Sequence, residues 1–198
     1  MPGVKGLHQE SESNSKASFI MGHSFQAVGI LVGGLKSVFS VPLVSRIHEG
    51  VVTSNRDKRT LLDKMIILIE SLGLDEPFYF IADAYYASGK TVKKLLKNGN
   101  HLVTRVKSNA VAYCPATENK TGRGRKRVYG EKIKLVAMFK NTEAMLVAPS
   151  PVYGESNRQI RYLSVDLIWR VAGRTVRFVV VLHPNRGRCI LMSTDLTL

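Results

Sequence analysis

The sequence predicts an α/β (α+β) fold, in which a mixed sheet with helices is followed by an inserted antiparallel β-rich segment. Helical and strand patterns alternate up to residue 110, and strand patterns dominate after it. Residues 78–82 are a short apolar and aromatic run followed directly by a carboxylate, Asp83. Such a run is typical of a strand that is covered on both faces of its sheet.

The first predicted element is an antiparallel hairpin. Residues 25–32 and 38–44 are apolar and contain β-branched side chains, and Gly33 and Gly34 between them indicate a turn. Pro42 cannot donate a ladder hydrogen bond, so the second strand is expected to have a free edge there.

A helix is predicted next, over residues 57–72. Ser54 and Asp57 resemble a capping box at its start, and Gly73 suits the left-handed conformation that ends a helix. One apolar stripe recurs at helical spacing. The stripe consists of Leu61, Leu62, Met65, Ile66, Ile69 and Leu72.

The predicted strand that ends at Asp83 leads into a second helix, over residues 88–98. Ser88 can cap this helix, and Gly99 can end it. A further strand is predicted over residues 101–106. Ligands of open α/β sheets bind at the carboxyl ends of strands, which makes Asp83 the first candidate site residue. The alternative is that Asp83 only turns the chain or caps the segment after it.

The remaining chain is predicted to consist of a loop over residues 115–130 and a set of strands. We therefore expect a flexible N-terminal arm over residues 1–18, a partial core over residues 19–110 and a basic β-rich insertion over residues 111–198. The predicted strands of the insertion cover residues 133–139, 144–148, 160–169, 175–182 and 189–193.

The charge of the chain indicates a polyanionic partner. The formal net charge is +14, and residues 101–198 contribute +11 of it, with 17 Lys and Arg against 6 Asp and Glu. Nucleic acid fits this excess better than an anionic membrane does. No apolar run is long enough to span a bilayer, and Cys114 and Cys189 have no metal-binding spacing.

Two groups of basic residues are candidates for DNA contact. Arg105 and Lys107 end the strand that follows the second helix, where they can hold a phosphate near Asp83. The alternative is that they are outward-facing charges of the strand. The second group lies in a glycine-containing loop, for which the alternative is a solvated loop without a partner. This group consists of Lys120, Arg123, Arg125, Lys126 and Arg127.

Residues 81–86, Ile-Ala-Asp-Ala-Tyr-Tyr, resemble the DDE transposases of bacterial insertion sequences, whose catalytic domain has an RNase H-like sheet. That sheet has the same order of a hairpin, a helix and a central strand that ends in an acid. Further blocks are similar to this family as well. They are residues 22–24, 102–110, 129–130 and 191–198.

The resemblance implies a site of three carboxylates that hold two Mg²⁺ or Mn²⁺ ions. Asp83 matches the second carboxylate. The first would lie upstream of Met1, and the third, a Glu on a helix, would lie beyond Leu198. Asp195 does not match that Glu. The resemblance thus implies a fragment that lacks both ends of the catalytic core, and it leaves open whether the chain is itself an enzyme.

The function that the resemblance implies is metal-dependent cleavage and strand transfer of DNA, with a fragment that is inactive alone. The implied partners are double-stranded DNA, as transposon ends and target, and a second copy of the chain on that DNA. The implied location is the bacterial cytoplasm, at the nucleoid. The alternatives are a non-catalytic basic nucleic-acid-binding module, or remnant of a decayed mobile element, and a repair or processing nuclease on the same fold.

Overall fold

The computed structural model describes residues 4–8, 17, 19–33, 37–48, 59–117, 126–152, 154–155 and 157–198. The chain forms two compact units, Met1–Asp75 and Glu76–Leu198. The predicted boundaries at residues 18 and 110 stay predictions. No helix in the described part of the chain has the length and apolar character of a bilayer-spanning segment.

The first unit contains two antiparallel strand pairs. Strand β1 (Lys5–His8), which lies within the predicted N-terminal arm, pairs with β2 (Phe19–Gly22). Strand β3 (Ser24–Gly33) pairs with β4 (Val38–His48) and forms a two-stranded sheet. The predicted hairpin is therefore confirmed. Strand β4 continues past its predicted end at residue 44 because residues 45–48 pair with residues 24–27 of β3.

Helix α1 (Leu61–Glu70) starts later than predicted. Its capping box is formed by Thr60 and Asp63: Thr60 Oγ1 accepts from Asp63 N over 3.3 Å, and Asp63 Oδ2 accepts from Thr60 N over 3.0 Å. The predicted start at residue 57 is wrong because the residue before Leu61 has extended backbone, as an N-cap does. Ser54 and Asp57 lie outside the described residues.

The apolar stripe of α1 is buried against the hairpin. One side-chain hydrogen bond supports this packing, since Gln26 Nε2 donates to Leu61 O over 2.9 Å. Gly73 has a φ of 60°, which confirms the predicted left-handed stop after the helix. Met65, Ile66 and Ile69 of the stripe are buried, and so is Leu68, which the predicted stripe did not include.

The second unit is built on one eight-stranded mixed sheet, which confirms the predicted α/β (α+β) class. The strand order is β5-β6-β12-β11-β10-β7-β8, with β9 paired to β10, and β5 pairs with β6 in parallel whereas the other pairs are antiparallel. The strands are β5 (Tyr79–Ala82), β6 (His101–Arg105), β7 (Val111–Pro115), β8 (Tyr129–Lys134), β9 (Leu146–Pro149), β10 (Gln159–Trp169), β11 (Arg174–His183) and β12 (Gly187–Ser193).

Helix α2 (Gly89–Lys97) connects β5 to β6, as predicted. Ser88 Oγ caps it by accepting from Thr91 N over 3.1 Å. Val92 and Leu95 are buried, and the helix packs against β6. The local signals were sufficient here because the cap and the apolar spacing lie within one short segment.

One prediction in the β-rich part is wrong, and one strand was missed. Residues 133–139 are not one strand, because β8 ends at Lys134 and residues Leu135–Lys140 form a 3₁₀ segment. Leu135 and Phe139 are buried there with exposed residues between them, a spacing that suits a helical turn. The strand β7 was not predicted, and residues 118–125 of the predicted loop lie outside the described residues.

The side chains on one face of the main sheet are buried, and this face is called the closed face. The other face carries exposed side chains and is called the open face. Thr104 pairs with Met192, which pairs with Phe178, so these fully buried side chains share the closed face. Tyr79 and Ile81 are 47% and 58% exposed on the other face. The predicted burial of this strand on both faces is therefore wrong, because the face that carries Tyr79 and Ile81 is left exposed at β5. Among the described strands, β5 is also an edge strand, with β6 as its neighbour.

The contact between α2 and the turn after β10 can be tested at Gly89. A Cβ atom at this position would overlap the carbonyl oxygen of Val171. Gly89→Ala is therefore expected to destabilise the protein by about 1–3 kcal/mol, although alanine in an unobstructed helix would stabilise it. Chemical denaturation measures the difference. Lys97→Ala, on the exposed side of the same helix, is the control, with an expected change within about 0.5 kcal/mol; a stabilised Gly89→Ala protein would contradict the close approach.

Candidate functional site at the carboxyl end of β5 and β6

Asp83 follows β5 directly and lies exposed at the carboxyl-terminal rim of the main sheet. Its Oδ1 accepts a hydrogen bond from Tyr85 N over 3.0 Å and thereby caps the 3₁₀ turn Ala84–Tyr86. Within the described residues, Oδ2 accepts no hydrogen bond. The capping role that was the alternative for Asp83 is thus observed, but it uses one oxygen and leaves the other open to a ligand.

Thr104 fixes the backbone at Asp83. It lies opposite Ala82 in the parallel pair of strands, and its Oγ1 donates to Asp83 O over 2.6 Å. The Thr104 side chain is 2% exposed, on the closed face of the sheet. Sequence analysis missed this residue, although a hydroxyl at a buried position of an apolar strand was a usable signal.

Arg105 and Lys107 lie at the same rim as Asp83, because β5 and β6 run in parallel. Both side chains are exposed. Arg105 lines a groove of about 640 Å³ on the open face, whereas Lys107 lines a groove of about 360 Å³ together with Ala84, the residue after Asp83. The structure therefore brings these three predicted residues to one rim, but it places the two basic residues in different grooves.

Asp195 lies at the other end of the sheet from Asp83. Its Oδ2 accepts from the Tyr79 hydroxyl over 2.5 Å, and Tyr79 is the first residue of β5. At 3.3 Å per residue, Tyr79 and Asp83 are about 13 Å apart along the strand. Asp195 Oδ1 also accepts from Thr197 N over 2.8 Å. Asp195 therefore stabilises a turn, and it lies too far along the sheet to share a metal ion with Asp83.

The hydrogen bonds at Asp195 change its acidity. The Tyr79 hydroxyl makes the largest contribution, followed by Thr197, and together they lower the pKa of Asp195 to about 2. The same hydrogen bond raises the pKa of Tyr79. Among the described residues, no three His, Cys, Asp or Glu side chains form a cluster that could hold a metal ion.

The basic loop predicted to contact DNA is described only at its end. Lys126 and Arg127 are exposed just before β8, which lies at the opposite edge of the strand order from β5. Arg127 Nε donates to Tyr129 O over 2.8 Å, so its guanidinium group is partly positioned by the chain itself. The remaining predicted residues, Lys120, Arg123 and Arg125, lie outside the described residues.

A second polar cluster borders the larger groove. Glu155 Oε2 contacts His183 Nε2 over 2.6 Å and accepts from Ser150 Oγ over 2.8 Å. His183 Nδ1 accepts from the backbone N–H groups of Asn185 and Arg186, each over 3.1 Å. Because both ring nitrogens are engaged, His183 has no free base nitrogen for a Ser-His-Glu type of catalysis. The cluster is structural, and it was not predicted from sequence.

A family model described as the transposase DDE domain matches residues 40–183. The match begins within β4, ends with β11 and includes Asp83 and the two basic residues of the rim. The search of curated proteins gave no match. The mixed fold of the second unit is consistent with an RNase H-like domain of this kind.

The hydrogen bond from Thr104 to Asp83 can be removed without a change of side-chain shape. Thr104→Val is expected to destabilise the protein by about 1 kcal/mol, because one buried hydrogen bond is lost. Chemical denaturation measures this difference. Thr142→Val, at an exposed position, is the matched control, with an expected change within about 0.5 kcal/mol. An equal effect of the two substitutions would contradict the buried bond.

The Glu155 cluster predicts a loss of stability in acid. Hydrogen bonds, that of Ser150 first and those of His183 and Arg186 after it, lower the pKa of Glu155 from 4.5 to about 2. Because the folded pKa is the lower one, this contribution is present above pH 4.5 and is lost as the pH falls to about 2. Thermal unfolding between pH 5 and pH 2 should therefore be less pH-dependent in Glu155→Gln than in the parent.

Asp195→Asn provides an independent second measurement of the same kind. The lowered pKa of Asp195 contributes stability with the same sign, and its hydrogen-bond partners differ from those of Glu155. The reductions in acid dependence should therefore add in the double variant. An acid dependence that neither substitution reduces would contradict both assignments.

Proposed function

The chain belongs to the family of transposase DDE domains, and on this basis we propose that it is part of a transposase that cleaves DNA and transfers DNA strands with the help of divalent metal ions. The observation that carries the proposal is the position of Asp83. This carboxylate ends a strand of the mixed sheet, uses one oxygen for a cap and leaves the other open at a rim with Arg105 and Lys107.

Asp83 fits a metal ion of the Mg²⁺ type. Mg²⁺ takes oxygen ligands, keeps several waters and is commonly held by one or two carboxylates together with phosphate oxygens of the substrate. An exposed carboxylate oxygen at a sheet rim meets this requirement for one ligand. Because one carboxylate does not hold two ions, the proposed two-ion site needs further acids, and the described residues alone are expected to be inactive in cleavage.

The roles of the residues at the rim follow from their chemistry. When bound, two Mg²⁺ or Mn²⁺ ions would supply an activated nucleophile and a stabilised leaving oxygen at the scissile phosphate. Asp83 contributes one ligand, and Thr104 holds the backbone that carries it. Arg105 and Lys107 bind phosphates of the DNA strand on the two sides of Asp83, since they line separate grooves.

Double-stranded DNA is the proposed partner, both as transposon ends and as target, and two copies of the chain are proposed to assemble on it. The formal net charge of +14 supports a polyanionic partner. Lys126 and Arg127 are exposed and accessible to a DNA backbone, and the same role is proposed for Lys120, Arg123 and Arg125. A bacterial protein with this role would act in the cytoplasm, at the nucleoid.

The second candidate is a non-catalytic nucleic-acid-binding module, such as the remnant of a decayed mobile element. The observation that favours it is the hydrogen bond from Tyr85 N to Asp83, which gives the carboxylate a structural role without any metal. Both candidates predict DNA binding. Only the first predicts that the charge of Asp83 governs metal binding.

Metal titration separates the two candidates. Asp83→Asn keeps an oxygen that can accept the capping hydrogen bond but removes the charge that a metal ion requires. We expect this substitution to weaken binding of Mn²⁺ at least about tenfold, because even outer-shell partners of metal ligands contribute that much. Isothermal calorimetry, or the electron paramagnetic resonance of free Mn²⁺, measures the affinity without any need for activity.

Asp195→Asn is the matched control, because it removes a similarly placed charge at the other rim of the same sheet. It should leave the Mn²⁺ affinity unchanged. Equal affinities of the parent and Asp83→Asn would rule out Asp83 as a ligand and would favour the non-catalytic module.

A further inference from the structure

Helix α2 presents a single row of lysines. Lys90, Lys93, Lys94 and Lys97 follow the spacing i, i+3, i+4, i+7, which places them on one face of the helix. All four are exposed, while Thr91, Val92 and Leu95 are buried on the side that packs against β6. We call these four residues the lysine stripe.

The charge of Lys93 within the stripe is not explained by the folding of α2. Like charges three or four residues apart on a helix repel each other, and α2 contains no acidic residue to offset them. Lys94 and Lys97 lie in the last turn, where the helix dipole favours positive charge. The helix dipole does not explain Lys93, which lies in the middle of the helix.

The surroundings of the stripe are positively charged as well. Residues 84–117 contain no Asp or Glu but six Lys and Arg, namely the lysine stripe together with Arg105 and Lys107. The segment begins directly after Asp83 at the rim. Its positive charges follow α2 away from the rim, and they end with Arg105 and Lys107, where β6 returns to the rim. This continuity connects the stripe with the candidate site.

The dimensions of the stripe suit a nucleic-acid backbone. From Lys90 to Lys97 the helix rises about 10.5 Å, at 1.5 Å per residue. One DNA strand places a phosphate every 3.4 Å along the duplex axis, so the stripe spans about three phosphates. A membrane surface fits less well, because the apolar side of α2 is already buried in the protein and cannot insert among lipids.

We propose that the lysine stripe is a binding surface for the phosphate backbone of duplex DNA, and that it holds the duplex beside the rim where Asp83 lies. The choice of DNA as the partner rests on the proposed function. The surface itself rests on the spacing, the exposure and the absence of acids described above. The stripe binds without reading base sequence, since lysines on phosphates carry no sequence information.

The test is a variant in which Lys93, Lys94 and Lys97 are all replaced by glutamine, a good helix former without charge. Fluorescence anisotropy with a labelled duplex is measured in EDTA over a series of salt concentrations. Three lost phosphate contacts should reduce the slope of log K against log salt by about 2 to 3. The thermal midpoint should not fall, because repulsion within α2 is removed. A single Lys93→Gln variant, with an expected reduction of about 0.9, serves if the triple variant does not fold.

The matched control replaces Lys132, Lys134 and Lys140 by glutamine, which removes the same charge from exposed positions elsewhere in the second unit. A smaller change in slope for this control supports the stripe, and an equal change overturns it in favour of bulk charge. Unchanged DNA binding of the stripe variant also overturns the proposal. Binding to phosphatidylserine vesicles is measured in parallel, and a variant that loses vesicle binding but keeps DNA binding would indicate a membrane surface as the partner instead. Since EDTA removes metal ions, these outcomes leave the proposal for Asp83 standing; a parent that does not bind duplex at all would contradict the proposed function.

Discussion

The parallel pairing of β5 with β6 is the constraint on which the candidate site depends. A parallel pair needs a crossover, and α2 supplies it, so the two strands end at the same rim. This arrangement places Asp83 and Arg105 each directly after the last paired residues, Ala82 and Thr104. It also leaves the outer face of the crossover helix exposed. The hydroxyl of Thr104 then ties the end of β6 to the end of β5 through Asp83 O. An antiparallel pair would put these residues at opposite ends of the sheet.

The same pairing explains why Asp83 and Asp195 have different roles. Asp195 follows β12, which runs antiparallel to β6, and therefore lies at the rim where β5 begins. There it is surrounded by hydrogen-bond donors that lower its pKa to about 2. Asp83, at the other rim, keeps one oxygen open. Strand direction thus makes one acid part of the framework and leaves the other accessible to a ligand.

Much of the fold could be predicted from sequence wherever the signals were local. The cap at Ser88 and the spacing in α2 specified that helix, and the family resemblance singled out Asp83 before any geometry was known. Tertiary features could not be predicted. The exposure of Tyr79 depends on which face of the sheet the rest of the chain leaves uncovered, and no local pattern encodes this. Both ring nitrogens of His183 are occupied by hydrogen bonds, one to backbone N–H groups and one to a glutamate 28 residues away in the chain, and a local pattern does not reveal these partners.

The open oxygen of Asp83 is proposed to bind a divalent metal ion beside DNA. Anomalous diffraction from crystals of the chain with Mn²⁺ and a short duplex can locate that ion. An anomalous peak is expected at coordination distance, about 2.1 Å, from Asp83 Oδ2, with a phosphate of the duplex next to it. Bound duplex with no peak at Asp83, or with a peak at Asp195 instead, would rule out this role for Asp83.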